Sequence, residues 1–185
     1  MKYVFTLLLL VFAVPAFAQD TPTLKDLSPS FKEPAQDAFD TVQRFTETSE
    51  SVKLDTQKAL AKAKHNITTD ADRYAYKLLE AQFNSQSAFD GWHDYARELL
   101  TKSEGKDKEG HYLPAEDRDP SISNLYSKQF HETLDLATPF GVGRTQCKQE
   151  TSAIFDSDFK KTDTLAPATC LNLYAAADAK QRAHK

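Results

Sequence analysis

Between Pro34 and Pro114 the chain holds no proline, and its first glycine is Gly91. A 79-residue stretch without proline, rich in Ala, Gln, Lys, Glu and Leu, is compatible with long helix and with little else. Its one interruption is local. Around Lys64–Asp70, Asn66 suits a helix end, and Thr69 with Asp72 forms a capping-box start. The tract therefore predicts two long helices, about 31–64 and about 69–102, folded back at a tight turn, each about 50 Å long at 1.5 Å per residue. Along the first, Phe31, Ala35, Phe39, Val42, Phe45, Ser49, Val52, Thr56, Ala59 and Ala63 recur at steps of three and four. Along the second, Tyr74, Leu78, Ala81, Ser85, Ala88, Trp92, Tyr95 and Leu99 do the same. Both are narrow seams of the coiled-coil kind, and facing positions then have numbers summing to about 134. Phe45 would face Ala88, Ala38 would face Tyr95, Ala35 would face Leu99, and Ser49 would form a polar layer with Ser85.

The second helix is apolar on its other side as well, at Tyr76, Leu79 and Phe83. That side needs a cover. The expected cover is a third helix opened by Asp119-Pro120, carrying Ile122, Leu125, Tyr126, Phe130 and Leu134, and ended by Pro139. If the cover is incomplete, Tyr76, Leu79 and Phe83 form a partner patch or a dimer seam. Thr101–Arg118 reads as a charged, mobile loop, PFGVGRTQC from Pro139 as irregular, and Leu171–Gln181 as a final helix pinned by Cys170. The fold class is mainly α: one helical domain over 30–185, a long antiparallel hairpin packed with two or three shorter helices, with a flexible segment at 19–29. Cys147 and Cys170 are the only cysteines, and they are expected to form a disulfide.

At the amino terminus, Lys2 precedes the apolar run Tyr3–Val14, then Pro15 and the small-residue site Ala16-Phe17-Ala18. This pattern predicts a signal peptide cleaved after Ala18, and a secreted or periplasmic protein. At about 12 residues the run is too short to span a bilayer. Loss of residues 1–18 leaves 22 basic against 27 acidic residues, a net charge of about −5. Scattered acidic charge disfavours nucleic acid, which requires clustered Lys and Arg.

The densest group of functional side chains is FDGWHDYARELL, residues 89–100. On a helix, Phe89, Trp92, Tyr95, Ala96 and Leu99 fall in one arc, with His93 at its border and Asp90, Asp94, Arg97 and Glu98 outside. Consecutive side chains diverge by about 100°, so Asp94 cannot orient the His93 imidazole. The five histidines lack the i, i+3 or i, i+4 spacing of helical metal ligands, and there is no C-x-x-C-H haem site. No metal or cofactor is expected. Gly141-Val142-Gly143 reads as a turn, and Asn66-Ile67-Thr68 matches the glycan acceptor pattern at an exposed tip. The expectation is a non-catalytic module that binds another protein, a small ligand or a second copy of itself. The alternative is a small-ligand binder or hydrolase with a pocket at Trp92, His93, Tyr95 and Arg97.

Overall fold

In a computed structural model, which describes residues 21–45, 50–160 and 168–184, helices account for most of the chain. They are α1 (Pro29–Arg44), α2 (Glu50–His65), α3 (Asp70–Ser103), α4 (Pro120–Phe155) and α5 (Cys170–Ala183). Among the described residues the only β pairing is an isolated antiparallel bridge between Lys106 and Tyr112. None of these helices is long and apolar enough to cross a membrane. Residues 1–20, which include the expected signal peptide, and Ser49 lie outside the described residues.

The turn between α2 and α3 forms where the sequence placed it. Thr69 Oγ1 accepts the Asp72 backbone N–H at 3.0 Å, and the Asp72 carboxylate accepts the Thr69 N–H at 2.9 Å. Beyond the turn α2 lies antiparallel on α3, with the Lys64 ammonium 5.9 Å from the Tyr76 ring centre. The first long helix, however, is two elements. α1 ends at Arg44 and runs alongside α3 in the same direction: Ser28, before its start, bonds to Asp72, and Phe45, just past its end, meets Phe83 with ring centres 5.2 Å apart. α2 runs back along α1, joined by Lys62 to Asp37 at 3.1 Å. Ala35 and Ala38 are therefore buried near the beginning of α3, far from Leu99 and Tyr95.

Asp72 holds this corner together. Fully buried, its carboxylate accepts from Ser28 N and Oγ, Thr68 N and Oγ1, and Thr69 N, all at 2.8–3.0 Å. Burial alone would raise its pKa; the hydrogen bonds outweigh that and hold it well below the usual carboxylate range.

The dominant packing in the molecule joins α3 to α4. Gln82 meets Thr151, Gln86 meets Arg144, and the Lys102 ammonium lies 5.6 Å from the Tyr126 ring centre, so the two helices are antiparallel. This required α4 to continue through Pro139, where the sequence suggested an end. Proline has no N–H to give the carbonyl four residues earlier, Asp135. That carbonyl accepts instead from Lys180 Nζ of α5, at 2.8 Å. The supposed turn glycines are helical packing residues. A Cβ at Gly141 would sit 2.8 Å from the Phe89 ring, and one at Gly143 would touch Ser85 and α5. Ser85 thus faces α4, and its buried hydroxyl has no hydrogen-bond partner among the described residues.

α5 lies antiparallel on α4, tied at its start by the Cys147–Cys170 disulfide, with Cα atoms 4.6 Å apart. Its first turn is also met by the Glu150 carboxylate, which accepts the Cys170 N–H at 2.8 Å. The main core joins α1, α2, the first half of α3, the end of α4 and Cys170. Tyr76, Leu79 and Phe83 belong to it, 7 %, 0 % and 6 % exposed. The uncovered patch anticipated there does not exist, because α1 turns back beside α3 and the end of α4 closes on both.

Candidate binding site

Beyond about Tyr95 on α3 and Thr133 on α4 the other helices give out, and the two helices project as an arm about 20 Å long. Its seam is thin: Ala96, Leu99 and Thr133 are buried between the helices, and none belongs to the main core. Two helices cannot cover all of each other's apolar side chains, so the arm leaves several in solvent. Of the eight large hydrophobic residues most exposed among the described residues, five are here: Tyr95, Leu100, Tyr112, Ile122 and Leu125.

The arm ends in residues 104–119, which follow a definite hydrogen-bond pattern. Leu113 N–H donates to Gly105 O and Asp107 N–H to His111 O, at 2.8 and 2.9 Å. The Asp107 carboxylate accepts the backbone N–H groups of Glu109 and His111. Gly105 and Gly110, with φ of 68° and 86°, supply the left-handed conformations that close the turns. Arg118 Nε donates to Leu113 O at 2.6 Å. Its guanidinium and the Lys106 ammonium flank the Tyr112 ring at 5.2 and 4.9 Å from the ring centre. Asp119 caps α4 by accepting Ser121 N–H at 2.8 Å, and hydrogen bonds from the Ser121 hydroxyl and backbone hold its carboxyl below the usual range.

Between this loop and the helix ends lies an open cleft of about 770 Å³. Leu113, Ile122 and Tyr126 provide apolar wall, and Arg97, Glu98, Lys102, Lys106, Asp117 and Arg118 provide charge of both signs. Lys102 and Lys106 are held above the usual lysine range by hydrogen bonds to Glu98 and Glu104, at 2.5 and 2.6 Å. These pairs are exposed, and such pairs contribute little to stability. The cleft therefore presents an apolar strip framed by alternating charge. Binding chemistry fits it.

The four residues of the alternative pocket do not converge. Only Arg97 lines the cleft, where it pairs with Asp94 at 3.4 Å. His93 packs on Phe89 with ring centres 4.2 Å apart, and Trp92 sits 6.5 Å from Tyr95. Helical divergence sends Arg97 outward while Trp92 stays half-buried along the seam. Among the described residues, no three His, Cys, Asp or Glu side chains are grouped to hold a metal ion. Tyr126, expected only as part of the apolar cover, lines the cleft, and the sequence reading gives Tyr112 and Arg118 no role, although a tyrosine between two lysines and an arginine in a short loop is a legible sign of cation–π stacking. No family model matches this chain, and no curated protein and no solved structure is similar to it.

Proposed function

We propose that this protein is a non-catalytic binding module of the extracytoplasmic space that takes a protein partner on its arm. The concentration of exposed apolar side chains at residues 95–125, on a projection outside the main core, carries the reading. Lys2, the apolar run and Ala16-Phe17-Ala18 support export, and the disulfide is compatible with an oxidising compartment. The mixed charge around the cleft suits a partner with a short apolar segment between charges of both signs.

A photo-reactive amino acid placed at Leu125, and at Leu54 as an exposed control away from the arm, tests it in the extracytoplasmic fraction of the source cells. A discrete adduct from position 125 and none from 54 is the expected result. An adduct of twice the chain's mass would make the partner a second copy. Identical behaviour at both positions would sink the proposal.

A further inference from the structure

A second cavity, in the body and away from the arm, has a different character. It lies between α1, α3 and α4, encloses about 280 Å³, and no carboxylate is among the described residues that line it. Arg144 and Lys148 line it from one face of α4, one turn apart, in a chain whose net charge is −4. Neither forms an ion pair among the described residues, whereas Lys102, Lys106 and Arg97 of the arm each have an acidic neighbour.

Arg144 is held in place. Its guanidinium stacks 3.9 Å from the Phe89 ring centre, and Nη1 donates to Gln86 Oε1 at 3.0 Å. Gln86 is oriented in turn, because its Nε2 donates to both Asp90 oxygens at 2.8 and 2.9 Å. Opposite, the Gln82 carbonyl oxygen accepts from Thr151 Oγ1 at 2.6 Å, which leaves the Gln82 amide hydrogens as donors. The wall thus offers a fixed guanidinium, an ammonium and an amide NH₂, with no anionic group among the described lining residues to take them. Val42 and Phe45 complete it with apolar surface.

We propose that this cavity binds a small organic carboxylate, with Arg144 and Lys148 holding the carboxylate group and Val42 and Phe45 covering the carbon body. A planar guanidinium matches two carboxylate oxygens. The apolar wall favours a carbon skeleton over a bare oxyanion. Among the described lining residues none is acidic, which disfavours an amino acid, whose ammonium would find no partner there. The inference is independent of the arm: a chain lacking the arm would retain this site.

Titration calorimetry of the full chain with succinate, benzoate, inorganic phosphate and glycine, at low ionic strength, tests it. Succinate or benzoate should bind, and glycine should not. Lys148→Gln should lower the affinity by about tenfold, as the loss of a charge-assisted hydrogen bond does. Arg144→Lys should lower it similarly by removing the planar fork. Lys128→Gln, a cation of α4 in the arm, should leave it unchanged. If neither carboxylate binds, if phosphate alone binds, or if Lys148→Gln and Lys128→Gln behave alike, the proposal is overturned. Lys148 is exposed, so its variant reports on the site even where Arg144→Lys disturbs Phe89 and folding.

Discussion

Asp72 is a buried charge with no ion pair among the described residues, stabilised by five hydrogen bonds from three residues in two short stretches of chain, Ser28 and Thr68-Thr69. Asp72→Asn keeps the shape but turns an amide NH₂ toward donors, and should cost about 3 kcal/mol in urea unfolding at pH 7. The pH dependence has a definite sign. The folded carboxyl titrates below its ordinary value of 3.8, so its contribution is complete above that pH. As pH falls further the contribution declines, by at most about 1.4 kcal/mol per pH unit, until the folded carboxyl itself is protonated. Wild type and Asp72→Asn should therefore converge in stability between pH 4 and pH 2, and a gap that widens on acidification would refute this. The capping-box half of the arrangement was legible, because Thr69 and Asp72 have the spacing that local geometry demands. The bonds to Ser28 were not. A contact 44 residues away in sequence leaves no periodic trace.

Among the elements, α4 departs most from its sequence pattern. Pro139 should end a helix, and it does not because Lys180 of α5 satisfies the carbonyl that proline abandons. Pro139→Ala should stabilise the protein, by up to about 3 kcal/mol if the freed N–H is fully used. In that background Lys180→Met should have little further effect in thermal unfolding, whereas in wild type it should be measurably destabilising. Reduction of Cys147–Cys170, which closes a loop with a sequence separation of 23, should cost roughly 3 kcal/mol. Hydrogen exchange should show α5 losing protection first, since few other ties hold its start. The length of α3 and its boundary at Thr69 followed from breaker-free sequence and a cap. The division of the first long helix did not, although Thr46, Thr48 and Ser49 offered a hint: hydroxyl side chains compete for backbone hydrogen bonds. The direction α1 then takes is a tertiary matter, decided by the Phe45–Phe83 and Phe39–Phe155 contacts.

At the scale of the whole molecule, the chain is a body and an arm that share α3 and α4. The cluster at residues 89–100 is read in sequence as one dense group because its residues are adjacent; on the helix they separate, and the cleft takes Arg97 alone from the four. Apart from Asp94 and Glu98, the cleft's other walls come from residues 101–126, whose meeting depends on the turn geometry of the loop. Joining Arg97 to His131 through a short glycine-containing turn removes most of the arm. That chain should unfold cooperatively, with helical circular dichroism reduced only in proportion to the residues lost, because the main core has no member between Phe83 and Cys147. It should lose the arm's adduct and keep carboxylate binding. The same separation bears on inheritance. Mutations in residues 104–119 leave the core untouched, so under the proposed binding role a lineage can change partners there by drift and selection without first losing a folded protein. Gly141 and Phe89 have no such freedom: a side chain can be fixed at Gly141 only after Phe89 has shrunk or moved, and their histories should be written together.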